Sequence, residues 1–227
     1  MKHIALLGDS IFDNISYVDP GEQDVPKQLR TLVKDDCKVT NLAVDGDVIR
    51  DIVNQLNNLP SDATHLFLSV GGNDALGQIS TFHEPIDTIG GALKKMYLIG
   101  QDFKKAYSEM LDSVLAHKLP TAVCNIYYPR YHVKSLNRTQ GYMSVFANGE
   151  EKQEMAMVAE TIFNDIIMFE VFMRKLPLID LRVLCNDDKD FANPIEPSAK
   201  GGNKIAGAMH RLISNHELSN LSSTIIC

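Results

Sequence analysis

The sequence predicts an α/β fold in which helices cover both faces of a parallel β-sheet. Five short apolar, β-branched runs recur along the chain, and longer stretches with helical spacing of apolar residues separate them. Strands joined in this way pair in parallel, because the intervening helix returns the chain to the same end of the sheet. The expected crossovers are right-handed.

Each predicted strand is a short run of large apolar and β-branched residues. The runs are residues 4–7, 39–42, 66–70, 121–126 and 178–181. All of them fall within the usual length of strands and below that of most helices.

The predicted helices carry apolar residues three or four positions apart, which places those residues on one face. They are residues 26–33, 48–59, 103–115, 150–175 and 199–214. Two other segments, 71–99 and 127–149, are predicted to be irregular, and each follows a strand. Ligands bind beyond the carboxyl ends of parallel strands, so these segments are expected to form the walls of a site.

One domain is predicted over residues 1–215, followed by a C-terminal tail at 216–227. The length of 227 residues and the hydrophobic fraction of 44% suffice for one compact core. No internal repeat, low-complexity run or long polar linker divides the sequence.

Charge and composition narrow the expected partners. A formal net charge of -7 works against binding nucleic acid or an anionic membrane, and it favours a neutral small molecule. No apolar segment approaches the roughly 20 residues of a membrane span. The apolar run at residues 4–7 is too short for a signal peptide and is not followed by a small-residue cleavage site. The four cysteines are scattered without metal-type spacing. We therefore expect a cytoplasmic protein with reduced thiols and without a metal or cofactor; the oligomeric state is left open.

The clearest motif is Gly8-Asp9-Ser10, directly after the first predicted strand. A tight turn there can expose the serine hydroxyl at the carboxyl end of the sheet, where main-chain N–H groups can stabilise an oxyanion. The alternative interpretation is an ordinary turn in which Ser10 caps the next helix.

Two more strand ends carry matching signals. Asn41 to Gly46 follows the second strand, and Gly71-Gly72-Asn73-Asp74 follows the third. Glycine lets a substrate approach the main chain, and an asparagine amide is a neutral donor to an oxyanion. Either segment could instead be a simple turn, but three such signals at successive strand ends favour a shared site.

These three segments resemble the conserved blocks of the SGNH/GDSL hydrolases, a family of serine esterases and lipases. The resemblance extends over almost the whole chain and implies a three-layer, flavodoxin-like sandwich with a five-stranded parallel sheet. It also implies that Ser10 is the nucleophile. The main-chain N–H groups of Ser10 and Gly46, with the Asn73 side chain, would then form the oxyanion hole.

The fourth block departs from the family pattern. The family has an aspartate followed three residues later by a histidine, whereas this chain has Asn193 and Glu196 within Asn193-Pro194-Ile195-Glu196-Pro197. A neutral Asn193 avoids the repulsion between two anions, and we expect its amide to hydrogen-bond the Glu196 carboxylate.

Three roles for Glu196 remain open. It could be the general base for Ser10, although the ordinary pKa of glutamate, about 4.3, makes it a weaker base than histidine, at about 6.5. A histidine from another loop, His132 or His83, could replace it. Glu196 could also be structural in a weakly active relative.

The resemblance therefore implies an ester hydrolase that acts on a small-molecule ester through Ser10, Gly46, Asn73, Glu196 and Asn193. The alternative is a ligand-binding or regulatory protein that keeps the scaffold but has lost efficient catalysis.

Overall fold

A computed structural model describes residues 1–34, 37–133, 149–215, 218 and 223–227. The strands are β1 (Lys2–Gly8), β2 (Cys37–Asn41), β3 (His65–Ser69), β4 (Thr121–Cys124), β5 (Leu178–Ile179), β6 (Phe191–Asn193), β7 (Glu196–Pro197) and β8 (Ile225–Ile226). The α-helices are α1 (Val25–Val33), α2 (Ile52–Leu56), α3 (Gly72–Leu76), α4 (Ile89–Leu115), α5 (Gly149–Met173), α6 (Leu181–Leu184) and α7 (Ala199–Ser214). Short 3-10 helices cover Ile49–Asp51, Ile79–His83 and Asp188–Asp190.

The main sheet has six parallel strands in the order β2-β1-β3-β4-β5-β8, which confirms the predicted α/β class. Strand β1 is central, with Ile4 opposite both Val39 and His65. Its carboxyl end therefore lies beside those of β2 and β3.

The prediction of five strands is wrong by one, because residues of the expected tail join the sheet. Ile225 pairs with Leu178, and Ile226 pairs with Ile179. The pairing gives acceptors to two main-chain N–H groups: Leu178 donates to Thr224 O at 2.8 Å and Asp180 donates to Ile226 O at 2.9 Å. Two residues are too few for a strand pattern to be read from the sequence.

Helices pack on both faces of the sheet, as predicted. Along β1, Ile4 and Leu6 point into one apolar cluster with α1 and α7, whereas Ala5 and Leu7 point into another with α2, α4 and α5. This period of two is the geometry of a strand that is buried on both sides.

Helix α4 begins at Ile89, 14 residues before the predicted start at 103, and runs for 27 residues. Together with α3 and the 3-10 helix Ile79–His83, it fills most of segment 71–99, so the prediction of an irregular segment is wrong there. The early turns bury few apolar residues and contain Gly90 and Gly91, which obscures the helical pattern. Of the other segment predicted to be irregular, residues 134–148 lie outside the described part of the chain.

Candidate active site

Ser10 lies two residues beyond the end of the central strand, where Gly8 makes the turn. Gly8 has φ +142°, and a Cβ there would lie 1.9 Å from the main-chain oxygen of Ser69 on β3. Only glycine fits this contact, so the main chains of β1 and β3 approach closely at their carboxyl ends. Asp9 N–H then donates to the same Ser69 oxygen at 3.1 Å. The turn presents Ser10, which is 6% exposed, at the edge of the sheet.

Asn73 lies at the start of α3, directly beyond β3. Its side-chain Nδ2 donates to the main-chain oxygen of Asp47 at 2.9 Å. That bond connects the segment after β3 to the loop after β2. The second hydrogen of the same amide stays available to a ligand.

Gly46 lies in the loop after β2, with φ +88°. No described group accepts a hydrogen bond from its main-chain N–H. Gly46 does not line the cleft described below, so its predicted role in the oxyanion hole stays a prediction.

Gln55 connects the turn after β1 to the loop after β2, and the sequence analysis did not identify it as a site residue. This buried side chain on α2 accepts from Gly8 N–H at 2.8 Å and donates to Gly8 O at 2.7 Å. It also donates to the Asp47 carboxylate at 2.7 Å. A polar residue at a core-facing position of an apolar helix was the only sequence signal for it.

The fourth block forms a tight β6-β7 turn held by Asn193. Its Oδ1 accepts from the main-chain N–H groups of Ile195 and Glu196, each at 3.0 Å. We predicted that the Asn193 amide donates to the Glu196 carboxylate. The Oε2 atom of that carboxylate has no hydrogen-bond partner among the described residues, so the prediction is wrong for this atom. Asn193 thus fixes the turn through the main chain, because its side-chain oxygen is used as an Asx-type acceptor.

Asn14 links the serine segment to this turn. It is fully buried, and its Nδ2 donates to Pro197 O at 3.2 Å while its Oδ1 accepts from Val25 N–H at 2.9 Å. The two bonds fasten the start of α1 and β7 to the chain that follows Ser10.

Ser10 and Glu196 lie close together. Burial raises the pKa of Glu196 to about 8, and the nearby Ser10 side chain opposes that rise. The negative charges of Asp9 and Asp45 raise the pKa further. A carboxylate whose pKa lies near neutrality is a much stronger base than a solvated glutamate.

Asp9, between the glycine and serine of the first motif, is a second buried carboxyl. Burial raises its pKa to about 7, and a main-chain hydrogen bond from Ile11, at 3.1 Å, acts in the opposite direction. Nearby Asp74 raises the pKa further.

A cleft lies at the carboxyl ends of β1, β3 and β4. The space within it and in front of it, open solvent included, is about 930 Å³. Ser10, Asn73 and Glu196 line it, whereas Gly46 and Asn193 do not. The rest of the lining is mainly apolar, with side chains from α3, α4, α5 and the segment between α3 and α4, including Leu76, Ile79, Phe82, Met96 and Phe163.

The two histidines considered as substitutes lie away from this cleft. His132 is half exposed and contacts Asp188, with Nε2 to Oδ1 at 3.0 Å. His83 is exposed at the end of its 3-10 helix. No histidine in the described part of the chain lines the cleft, and His216 lies outside that part. The geometry therefore favours Glu196 as the group beside Ser10.

Over the described residues, no group of three or more His, Cys, Asp or Glu side chains is arranged to hold a metal ion. No helix in that part of the chain has the length and apolar character needed to cross a membrane.

A serine at the end of the central strand, beside an asparagine from the next strand end, is the arrangement of a hydrolase built on a parallel α/β sheet. The model of the GDSL-like lipase/acylhydrolase family matches residues 4–203, and the chain belongs to this family. A search of curated proteins gives no match.

Solved structures share the fold at low sequence identity. The lipase Lip_vut3 from a goat rumen metagenome is 16% identical with a TM-score of 0.66, covering 93% of this chain and 97% of that one. A lipase/acylhydrolase from Enterococcus faecalis is 15% identical with a TM-score of 0.62, covering 95% and 97%. The aryl esterase of M. smegmatis is 12% identical with a TM-score of 0.62, covering 95% and 99%.

Proposed function

We propose that the protein is an ester hydrolase in which Ser10 is the nucleophile and Glu196 its general base. The observation that carries the proposal is that Ser10 and the buried Glu196 carboxyl line the same mainly apolar cleft, with the Ser10 side chain close enough to lower the pKa of that carboxyl. Membership of a lipase and acylhydrolase family supports the same reaction.

In the first half of the reaction, Glu196 takes the proton of the Ser10 hydroxyl as its oxygen attacks the ester carbonyl carbon. The resulting tetrahedral intermediate collapses when the carbon–oxygen bond to the alcohol breaks. Glu196 returns the proton to the departing alkoxide. With a pKa of about 8, the glutamic acid is a suitable donor and its carboxylate a suitable acceptor near neutral pH.

In the second half, water attacks the acyl-serine and gives its proton to Glu196. The bond between Ser10 Oγ and the acyl carbon breaks, the carboxylic acid leaves, and the proton returns to Ser10. The overall change is therefore hydrolysis, with both side chains restored.

The oxyanion of each tetrahedral intermediate needs donors that are in place before the reaction. The Ser10 main-chain N–H donates to no described group, and the Asn73 amide is held by Asp47 O with one hydrogen free. We propose these two as donors, with the Gly46 N–H as a third.

The proposal keeps the predicted cytoplasmic location. None of the four cysteines, Cys37, Cys124, Cys185 and Cys227, forms a disulfide, as expected in a reducing compartment. Fractionation of cells that produce the protein would test the location.

The test of the reaction is hydrolysis of short p-nitrophenyl esters by the wild type and Ser10→Ala. We expect the substitution to lower kcat/KM by about 1000-fold or more, since it removes the attacking oxygen. A serine-reactive phosphonate should label the wild type with one equivalent and leave Ser10→Ala unlabelled. Equal hydrolysis by the two proteins, or a wild type that resists labelling, would instead support the scaffold as a ligand-binding protein.

A further inference from the structure

Glu160 is a third carboxyl in the cleft, and the proposed reaction does not use it. It lies on α5 and lines the cleft with Ser10 and Glu196. Its Oε2 atom is buried and has no hydrogen-bond partner among the described residues. A polar atom left in this state has lost its water without gaining a protein partner, which costs free energy unless a ligand supplies the partner.

Among the described residues that line the cleft, none brings a positive charge to Glu160. Asp9, Glu160 and Glu196 all line it, and none of its described lining residues is lysine, arginine or histidine. The other groups around the cleft include Phe82, Tyr131 and Phe163. Aromatic faces attract cations through their quadrupole, and more strongly where water is excluded.

Burial also changes the pKa of Glu160. Burial raises its pKa well above the usual value for glutamate. A positively charged group at short range would favour the ionised form and offset the cost of burial.

We propose that Glu160 makes the cleft selective for esters that carry an ammonium group. This inference rests on the function proposed for Ser10, and it assigns the substrate class of the same cleft. It also revises the expectation of a neutral ligand, which came from the net charge of the whole chain. The local distribution of charge in the cleft decides ligand preference more directly than the total.

A matched pair of esters tests the inference. Butyrylcholine and 3,3-dimethylbutyl butyrate have nearly the same shape, but the first has a quaternary nitrogen where the second has a carbon. We expect the wild type to show a kcat/KM at least about 10-fold higher for the cationic ester. Glu160→Gln should lower the ratio of the two values by about 10-fold, because it removes the negative charge while keeping the side-chain shape.

The control variant is Glu154→Gln, which removes an exposed carboxylate from the same helix. It should leave the ratio at the wild-type value, because an exposed charge is screened by solvent. Thermal unfolding of Glu160→Gln would verify that the variant is folded. A wild-type ratio near one, or a high ratio that persists in Glu160→Gln, would overturn the proposal.

Binding to Ser10→Ala separates this inference from the proposed catalysis. Calorimetry should show tighter binding of butyrylcholine than of its neutral analogue, and Ser10→Ala/Glu160→Gln should lose that difference. If the wild type cleaves neither ester but the binding difference depends on Glu160, the catalytic assignment fails and the ammonium site stands. If the two esters bind equally well to Ser10→Ala, the ammonium site fails whatever the activity.

Discussion

Glu196 occupies the position where the resemblance to the SGNH hydrolases implies histidine, and its surroundings change its chemistry. In water, a glutamate at neutral pH is an anion with little affinity for a serine proton. In the folded chain, burial raises the pKa of Glu196 to about 8, above the ordinary pKa of histidine, about 6.5. Burial thus supplies at this residue the basicity that histidine has in solution.

At the residue scale, the pH dependence of kcat/KM should identify Glu196 as the base. Hydrolysis requires the ionised carboxylate, so activity should be low at pH 6 and rise through the pKa of about 8. Glu196→His should move the midpoint down toward about 6.5, the ordinary value of the imidazole. The measurement is kcat/KM for a p-nitrophenyl ester across this range.

Glu196→Gln is the companion variant, because it keeps the shape and cannot take a proton. It should lower activity by about 100-fold or more and remove the rise with pH. If Glu196→His keeps the wild-type midpoint, another group titrates and Glu196 is not the base.

At the scale of the elements, the site is assembled from segments that are distant in the chain and joined by buried polar side chains. Gln55 binds both main-chain groups of Gly8 and the carboxylate of Asp47. Asp47 in turn holds the Asn73 amide through its main-chain oxygen. Helix α2 therefore positions parts of the site without lining the cleft.

Replacing Gln55 with leucine should destabilise the protein and disturb the site together. The Gly8 N–H would lose its partner in a buried place, and the Gly8 C=O would lose one of its two donors and keep the bond from Val44 N–H. The expected cost is about 2–4 kcal/mol in the free energy of unfolding. Urea unfolding measures this cost. The value of kcat should also fall, because Asp47, which holds the Asn73 amide, loses its bond from Gln55. Asn54→Leu, at the preceding exposed position, is the control. Similar stability for the two variants would show that the Gln55 bonds contribute little.

At the scale of the whole molecule, raised carboxyl pKa values couple stability to pH. Burial raises the pKa of Asp9 from 3.8 to about 7 and that of Glu196 from 4.5 to about 8. Between the unfolded and folded values, the folded state holds more protons than the unfolded state. Stability therefore falls as pH rises through this interval. The pKa values are lowered for three other carboxyls, Asp62, Asp180 and Asp187. These groups change the dependence of stability on pH only below about pH 4.

The free energy of unfolding should accordingly be higher at pH 5 than at pH 8, by several kcal/mol. Urea denaturation at a series of pH values measures the slope. Glu196→Gln should flatten it, because the amide does not titrate, whereas the exposed Glu154→Gln should not. A wild-type stability that rises from pH 5 to pH 8 would contradict the burial of these carboxyls.

Local patterns in the sequence explain the successful predictions. The apolar runs and helical spacings identified the α/β class, and α7 begins and ends where it was predicted. The motifs at the ends of β1 and β3 pointed to one site, because parallel strands end at the same edge of a sheet. Ser10 and Asn73 accordingly line one cleft.

The errors have a physical origin in long-range contacts. Strand β8 depends on the free edge of β5, and the start of α4 lacks a clear apolar face. Asn193 was expected to donate to the Glu196 carboxylate, but Glu196 Oε2 has no hydrogen-bond partner among the described residues, and the Asn193 oxygen holds the β6-β7 turn. Each outcome depends on which groups the fold brings together.

The sequence by itself determined the fold class and the family resemblance, and it singled out Ser10, Asn73 and Glu196 as candidate site residues. Short-range patterning carries that information, since strand and helix periods are properties of neighbouring residues. Only the tertiary structure decided that Glu196 is buried beside Ser10 and that Gln55 joins two blocks. It also decided that Glu160 lines the cleft with an Oε2 atom that has no hydrogen-bond partner among the described residues. Burial and the pKa values that follow from it arise from packing between distant segments.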